Sequence, residues 1–491
     1  MPRSISKSRF ISGTQCHKKL WFETHQPELG EEPGEALQAI FDTGHRVGTL
    51  ARTRYPGGVL VVEDHRHPAQ ALSTTKVLLG RAEVPAIFEG AFSGSRVFAR
   101  ADILARVGPS QWQMIEVKSA GSVKDVHDLD LAIQLLAARA AGIDVVSCGL
   151  LLVNTEYVHA GGAYDVSGLF KYEDRTRAAK ELLPGVEATL AAQLAVLEKP
   201  TAPDIQPSPH CTAPYACQFW DHCTSGMPED WVYHLPRIQE AQYQRLADAG
   251  LLSIRQVPQG SSHLTPTQER VREAVASGRT WTSPTLAHQL AGLGSPPYSY
   301  LDFETINPTL PVYRGTRPFE VVTFMFSCLT VDGEGTHDER HYLHDGSDDP
   351  RPSVAKALLE SVPSRGPIVT YSGYDRQVIN ALADKVPEHA AGLTALSNRC
   401  VDLLRVVAAA FCHPATFGDN SLKSVAPALA PGIYAGLAVA DGTQAASAYL
   451  RFVSGDVRSD EWPALREQII EYCKRDTLAT ATVHRALMDL V

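Results

Sequence analysis

Apolar β-type runs occur in two separate blocks of this chain, and each block carries acidic residues within its strands. The first block, at residues 86–118, contains the runs AIFEGAF, SRVFARADILARV and WQMIEVKS, which turn signals separate. A helical stretch and a buried apolar run, VVSCGLLLVN, follow it. Strands that alternate with helices predict an α/β fold for this part of the chain.

The second block begins at Tyr298 with YSYLDFE and continues with EVVTFMFSCLTV and IVTYSGYD. Helical patterns follow the last run and close the chain, which predicts a second α/β fold. The chain has 491 residues, more than the roughly 100–200 of one ordinary domain. We therefore expect α/β domains at residues 1–228 and 297–491, joined by short helices at residues 229–296.

Composition limits the class of protein. Hydrophobic residues make up 44% and charged residues 20%, which is ordinary for a soluble globular protein. The net charge of −10 excludes a uniformly basic nucleic-acid binder, but a nuclease with acidic metal sites and a locally basic groove remains compatible. The basic residues near the N-terminus form either such a local patch or a solvated tail: Arg3, Lys7, Arg9, Lys18 and Lys19. Without a secretory signal or a run of about 18 apolar residues, a cytoplasmic location is expected.

The acidic residues of the first block are spaced to hold a divalent metal ion. Glu116 and Lys118 are two residues apart on one predicted strand, so their side chains share a face. Asp102 lies on the preceding strand, across a Gly-Pro turn, and can approach Glu116. Converging carboxylates bind Mg²⁺ or Mn²⁺, and such an ion activates water to hydrolyse phosphodiester bonds. Lys118 is expected to position that water or to stabilise the transition state.

This first block resembles the PD-(D/E)xK nucleases of the RecB type, whose core is a mixed sheet flanked by helices. Asp102 and the triplet Glu116-Val117-Lys118 carry the resemblance. It implies a histidine from an upstream helix and a glutamine from the helix after the triplet, which His45 and Gln134 match. The implied substrate is DNA, as single strands or at ends. Glu89 is a further acidic candidate, which solvation of a strand end explains equally well.

Four of the nine cysteines are placed apart from the rest. Cys211, Cys217 and Cys223 have C-x5-C-x5-C spacing in a Pro-rich segment, and Cys16 lies near the N-terminus. In order and placement they resemble the cysteines of RecB-like nucleases of the CRISPR-associated kind, although their spacing is wider. The resemblance implies a [4Fe–4S] cluster that joins the two ends of the domain. Zinc held by four thiolates is the alternative.

The acidic residues of the second block also share faces. Asp302 and Glu304 are i and i+2 on a strand, and Tyr472 and Asp476 are i and i+4 on the last helix. Asp375 begins another helix. Four carboxylates placed in this way can hold two Mg²⁺ ions about 4 Å apart, with Tyr472 orienting the water.

This order is similar to that of DEDD exonucleases with a ribonuclease-H-like fold, in the variant that has Tyr four residues before the last Asp. The segment SLKSVAPAL also resembles the stretch before the last motif. The whole chain resembles bacterial RecB-like nucleases fused to a YprB-like ribonuclease-H domain. The resemblance implies 3′–5′ exonuclease action on DNA or RNA. Asp402, outside this set, is expected to cap or support.

The expected function is therefore that of a metal-dependent nuclease with two sites. The chain has no G-x4-GK[ST] segment, so any unwinding is expected from a partner such as a helicase or a repair or defence protein. Two alternatives stay open. One is a nucleic-acid-binding or assembly protein with an inactive site, and the other is a zinc-stapled ribonuclease whose N-terminal half only grips RNA.

Overall fold

The computed structural model describes residues 4–64, 66–335 and 337–491, with only the backbone of Ala36. The chain forms two compact units, both of mixed α/β architecture as predicted. The bounds of the units are Met1–Gly226 with Thr309–Phe319, and Met227–Pro308 with Glu320–Val491. Residues 229–296 thus lie within the second unit. Across the described ranges, every helix is too short or too polar to cross a bilayer.

The first unit contains eight helices and seven strands among its described residues. Its helices are α1 (Lys7–Gln15), α2 (His17–His25), α3 (Glu35–Arg52), α4 (Pro68–Leu79), α5 (Asp125–Ala140), α6 (Val166–Leu169), α7 (Thr176–Leu197) and α8 (Trp220–Thr224). Its strands are β1 (Ile5–Ser6), β2 (Val59–Leu60), β3 (Ala86–Gly94), β4 (Val97–Arg106), β5 (Gln111–Lys118), β6 (Asp144–Val153) and β7 (Phe170–Asp174).

One mixed sheet organises this unit, in the order β2-β3-β4-β5-β6-β7, with β1 paired to β4. The strands β3, β4 and β5 are antiparallel neighbours, and β6 runs parallel to β5 after the crossover helix α5. Alternation along β4 and β5 sends side chains to opposite faces. Ile103 and Ile115 pack with Val47 of α3, whereas Leu104 and Met114 pack in the cluster that contains the apolar face of α5. The central strands are therefore buried between two helices.

The second unit contains ten helices and seven strands among its described residues. Its helices are α9 (Glu240–Asp248), α10 (Pro266–Ser277), α11 (Leu286–Ala291), α12 (Arg351–Ser361), α13 (Gly373–Lys385), α14 (Ala390–Ser397), α15 (Leu403–Ala410), α16 (Leu422–Leu429), α17 (Gly442–Val453) and α18 (Trp462–Met488). Its strands are β8 (Trp281–Thr282), β9 (Tyr298–Ile306), β10 (Val322–Val331), β11 (His337–Leu343), β12 (Ile368–Thr370), β13 (Cys400–Asp402) and β14 (Phe411–Cys412).

The main sheet of the second unit has the order β11-β10-β9-β12-β13. β10 is antiparallel to both of its neighbours, and β12 runs parallel to β9 and β13. α18 packs along one face of the sheet, where Ala479 and Val483 share a core with Tyr300 and Val369. The opposite face is covered by α12 and α13, whose buried residues include Val354 and Ile379.

The long apolar strands and their helices agree with the sequence-based expectations, but several short or polar strands do not follow from them. β11 is exposed along most of its length and has the sequence HDERHYL, so it lacks the apolar alternation that marks a strand. The run IVTYSGYD is a strand only over Ile368–Thr370, because Ser372 caps α13 by accepting a hydrogen bond from the Tyr374 amide.

Candidate active sites

We call the acidic residues of the first unit and the lysines that contact them the N-terminal cluster: Lys7, Asp102, Glu116, Lys118 and Asp130. Asp102 lies on β4 and Glu116 on β5, one residue beyond the last register pair, Ile103 with Ile115. The backbone pairing of β4 with β5 has ended at this point, and Asp102 Oδ2 accepts a hydrogen bond from the Val117 amide at 2.7 Å. A backbone contact thus fixes one oxygen of this carboxylate.

Glu116 is the centre of the N-terminal cluster and is 4% exposed. Its Oε1 atom accepts from Lys118 Nζ at 2.9 Å and from Lys7 Nζ at 2.7 Å. Its Oε2 atom accepts from the Gln134 side chain of α5 at 2.9 Å. Asp130, one turn before Gln134, contacts Lys118 at 2.7 Å and Lys7 at 3.3 Å. Two carboxylates and two ammonium groups therefore alternate around a closed ring.

The two central carboxyls of this cluster titrate in opposite directions. Burial and the charge of Glu116 raise the pKa of Asp102 to about 7. Burial also opposes ionisation of Glu116, but the charges of Lys118 and Lys7 outweigh it and hold the pKa of Glu116 well below its usual range. An ionised glutamate thus lies beside an aspartate that exchanges its proton near neutral pH.

A cleft of about 540 Å³ opens on this cluster. His45, on α3, is exposed and lines the cleft together with Asp102, Glu116 and the exposed side chains of Ile40 and Phe41. The structure therefore brings Asp102, Glu116, Lys118 and Gln134 into one set of contacts, and it places His45 at the wall of the same cleft.

Glu89 also lines this cleft, but it has basic partners of its own. Its carboxylate contacts Arg52 at 2.7 Å and Arg100 at 3.5 Å. Its φ of 53° is a left-handed conformation that a residue other than glycine rarely adopts. Backbone strain of this kind tends to occur where the surrounding structure holds a functional side chain in place.

Sequence reasoning missed two members of the N-terminal cluster. Asp130 could have been found from the sequence, since it is four residues before Gln134 and shares its helix face. Lys7 stands among the basic residues near the N-terminus. Of these, Arg3 lies outside the described residues. A solvated tail is wrong for the others, because Arg9, Lys18 and Lys19 have hydrogen-bond partners and lie on α1 or α2.

Cys16, Cys211, Cys217 and Cys223 line one small pocket of about 20 Å³. Cys16 ends α1, and the other three lie in the segment that has only short helical turns. Burial raises the pKa of Cys211 to about 11, and the neighbouring cysteines add to that shift. Burial also raises the pKa of Cys217 and Cys223. Four thiols that line one pocket fit a metal centre, since a bound cation compensates thiolate charge.

We call the acidic residues of the second unit the C-terminal cluster: Asp302, Glu304, Asp375 and Asp476. Asp302 and Glu304 lie on β9, Asp375 in the first turn of α13, and Asp476 on α18. Glu304, Asp375 and Asp476 are buried, and Asp302 is half-buried. Burial and the charges of Asp476, Asp375 and Glu304 raise the pKa of Asp302 well above its usual value. The four carboxylates are therefore electrostatic neighbours, although the chain separates them by up to 174 residues (476 − 302).

The pKa values of the other acids are raised as well. Burial and the charge of Asp476 raise the pKa of Glu304 to about 8, and burial raises that of Asp375 to about 7. Burial and the charges of Asp476 and Glu304 also raise the pKa of the buried Tyr472. Among the described residues, one set of three metal-ligating atoms lies within 4.8 Å of one another, those of Asp302, Glu304 and Cys473.

Lys423 of α16 partly balances the C-terminal cluster. Its Nζ atom lies 2.6 Å from Asp476 Oδ1, 3.9 Å from the centre of the Tyr434 ring and 4.3 Å from that of Tyr472. The segment SLKSVAPAL, which contains Lys423, thus contributes a cation to the C-terminal cluster. Cys473 of α18 is fully buried, and its thiol lies 3.5 Å from Asp302 Oδ2.

Asp402 lies at the end of β13 and caps α15, as expected, by accepting a hydrogen bond from the Arg405 amide at 3.2 Å. Its charge also raises the pKa of Asp375, after the larger effect of burial. The structure therefore gives Asp402 a supporting position.

Comparison with known proteins yields one family match. The family described as "Domain of unknown function (DUF2779)" matches residues 299–421. This segment includes Asp302, Glu304 and Asp375 and ends before Lys423, Tyr472 and Asp476. Neither a curated protein nor a solved structure matches the chain.

Proposed function

We propose that this chain is a metal-dependent nuclease with two separate sites, one in each unit. The observation that carries the proposal is the convergence of Asp102, Glu116, Lys118 and Gln134 at the open end of a β4–β5 ladder, beside a cleft. Asp102 and Glu116 offer carboxylate oxygens beside the cleft, which are the ligands that Mg²⁺ and Mn²⁺ prefer. A second convergence, in the C-terminal cluster, supports the second site independently.

The order of elements supports the proposed fold families. In the first unit the series α3-β2-α4-β3-β4-β5-α5-β6 contains the acidic residues, which agrees with a PD-(D/E)xK core. In the second unit the main strands lie in the order third, second, first, fourth, fifth, with only the second antiparallel to its neighbours. That arrangement agrees with a ribonuclease-H-like sheet.

In the first site, Asp102 and Glu116 would hold Mg²⁺ or Mn²⁺, which polarises a phosphate and lowers the pKa of a bound water. Oxygen donors of this kind suit such hard cations. Gln134 fixes the orientation of Glu116 through Oε2. The Lys118 ammonium, placed by Glu116 and Asp130, supplies positive charge where negative charge grows on the phosphate oxygens. His45 at the cleft wall would contact the nucleic-acid strand.

In the second site, Asp302, Glu304, Asp375 and Asp476 would hold the divalent ions. The Tyr472 hydroxyl would orient the attacking water, since burial and neighbouring acids keep that hydroxyl protonated. Gly442 lies beside it, where a Cβ atom would come 3.5 Å from Glu304 Oε2 and 3.8 Å from the Tyr472 hydroxyl. The proposed reaction is removal of nucleotides from 3′ ends of DNA or RNA.

The four gathered cysteines would bind a metal centre that joins α1 to the segment after α7. A [4Fe–4S] cluster rests on the resemblance to RecB-like nucleases, and a zinc ion held by the four thiolates is the alternative. Anaerobically purified protein decides between them. Broad absorbance near 400 nm with bound iron supports the cluster, and colourless protein with one bound zinc supports the alternative.

The nuclease proposal is tested with Lys118→Ala and Asp302→Ala, singly and together, on 5′- and 3′-labelled single strands with Mg²⁺ or Mn²⁺. Each single variant should lose one cleavage activity by about 10²–10³-fold and keep the other, and the double variant should lose both. An inactive parent would favour a binding or assembly protein. Cleavage of RNA that only Asp302→Ala abolishes would favour the ribonuclease whose N-terminal half grips RNA. Full activity of both single variants would refute the proposal.

A further inference from the structure

Lys7 adds a second cation to the N-terminal cluster from a remote part of the chain. It stands 109 residues before Glu116, in the first turn of α1, and lies outside the motif residues of the first block. Its Nζ atom is 2.7 Å from Glu116 Oε1 and 3.3 Å from Asp130 Oδ1, and its side chain is 19% exposed. A surface lysine would gain little from such pairs, but these partners are buried.

The ring of charges makes the lysines depend on each other. Lys118 contacts the same two acids, Glu116 at 2.9 Å and Asp130 at 2.7 Å. Without Lys7, the Oε1 atom of Glu116 would keep one ammonium partner. Asp130 Oδ1, which is buried without a hydrogen bond, would also lose its 3.3 Å contact with an ammonium group. Both acids would then be held by fewer contacts, Glu116 by Lys118 and Gln134 and Asp130 by Lys118, so the position of Lys118 would be less tightly defined.

Helix α1 holds Lys7 in place from both ends. Ser6 caps the helix by accepting from the Arg9 amide at 3.3 Å, and Phe10 is fully buried. The Gln193 side chain donates to the Phe10 carbonyl at 3.0 Å. At the far end Gln15 donates to the Tyr215 carbonyl at 2.7 Å, within the loop that carries the cysteines. Lys7 is thus positioned by a docked helix rather than by a flexible terminus.

We infer that Lys7 is a positioning residue of the N-terminal site, which holds Glu116 directly and Lys118 through Asp130 in their working orientation. The inference rests on the proposed nuclease function. The positive charge of Lys7 also opposes the approach of a metal cation to Glu116. Loss of this charge should therefore strengthen metal binding while it slows cleavage, whereas a merely structural residue would weaken both when lost.

The test uses the full chain with Asp302→Asn in every protein, so that the second site contributes no cleavage. Lys7→Met should lower kcat on single-stranded DNA by about 10²-fold, because misplacement of catalytic groups is costly even when small. KM should stay within about threefold, since substrate binding is not removed. Mn²⁺ affinity, followed by the electron paramagnetic resonance signal of free Mn²⁺, should rise about tenfold as the repulsion disappears.

Two further variants keep the test decisive. Lys7→Arg retains the charge with a different shape, so it should keep the parent Mn²⁺ affinity and lose about tenfold in kcat. Lys76→Met, an exposed lysine of α4, serves as the matched control and should change neither quantity.

Three results would overturn the inference. The first is that Lys7→Met cleaves as fast as Lys76→Met. The second is that Lys7→Met cleaves faster, which would mean that Lys7 inhibits the site, and the third is that it loses cleavage, Mn²⁺ affinity and melting temperature together. Lys118→Ala in the same background distinguishes failure of the proposed nuclease function from failure of the proposed role of Lys7. If it cleaves normally, the proposed function of this site fails. If it is inactive while Lys7→Met is fully active, only the role of Lys7 fails.

Discussion

The two clusters gather a similar number of acids but balance their charge differently. In the N-terminal cluster, three carboxylates face the ammonium groups of Lys7 and Lys118, and Glu116 contacts both. In the C-terminal cluster, four carboxylates approach one another, and among the described residues Lys423 supplies the ammonium group that contacts one of them, Asp476.

This difference reverses the titration of two equally buried glutamates. The lysines outweigh burial and hold the pKa of Glu116 well below its usual range, whereas burial and the charge of Asp476 raise the pKa of Glu304 to about 8. A divalent ion would therefore compete with resident cations in the first unit and relieve repulsion in the second. The two clusters therefore differ in what accompanies their close-packed acids: two lysines in the first unit, and one contacting lysine with strongly raised pKa values in the second.

The largest expected effect is a stability change of opposite sign when each glutamate is neutralised in metal-free protein at pH 8.5. Glu116→Gln removes the charge that both lysines contact and should lower the free energy of unfolding by about 3 kcal/mol. Glu304→Gln removes one of several crowded charges and should raise it by about 1–2 kcal/mol. Chemical denaturation in EDTA, followed by tryptophan fluorescence and circular dichroism, measures both changes.

Glu187→Gln and Glu360→Gln are matched controls, because both glutamates are exposed on helices, one in each unit. Each should alter stability by less than about 0.5 kcal/mol. The proposed contrast in charge balance is wrong if both buried variants change stability in the same direction by more than their controls.

A smaller effect is expected from pH. Folding raises the pKa of Glu304 to about 8 from an ordinary value of about 4.5, so the folded state binds more protons between these two values. Its contribution should therefore make stability fall as pH rises from 4.5 to 8, opposite to the usual behaviour of a paired carboxylate. Glu116, with its lowered pKa, contributes stability that is present above pH 4.5 and lost in acid.

The measurement is the difference in melting temperature between the parent and each variant, from pH 5 to 9 in EDTA. The deficit of the parent against Glu304→Gln should grow with pH, and added Mg²⁺ should reduce it most at the alkaline end. A difference that stays constant across this range would mean that Glu304 does not titrate in it.

The sequence predicts the parts of these sites that lie on regular elements. The i, i+2 spacing of Glu116 and Lys118 and the i, i+4 spacing of Tyr472 and Asp476 depend only on strand and helix periods. The structure places both pairs on the expected elements. Lys7 could not be predicted in the same way, because its contact depends on how α1 docks 109 residues away from Glu116.

Charge balance was also beyond the sequence. Lys423 stands in the segment SLKSVAPAL, but only the packing of α16 brings its ammonium group to Asp476. The same holds for Cys473, since its contact with the Asp302 carboxylate depends on how α18 packs on the sheet. The period of a strand or helix indicates which of its residues share a face, whereas contacts between different elements depend on the tertiary structure.

The smallest expected effect concerns Cys473, which gives the C-terminal cluster a soft donor that the N-terminal cluster lacks among its described contacts. Its sulfur lies with Asp302 and Glu304 in the set of atoms within 4.8 Å of one another, so thiophilic Cd²⁺ should bind there and displace Mg²⁺. Cys473→Ser should keep Mg²⁺-supported 3′ trimming within about threefold and raise the Cd²⁺ concentration for half inhibition about fivefold.

The assay uses a Lys118→Ala background, which isolates the second site. Cys328→Ser, at an equally buried cysteine of β10, is the control, and equal Cd²⁺ sensitivity of the two variants would mean that the sulfur takes no part in metal binding.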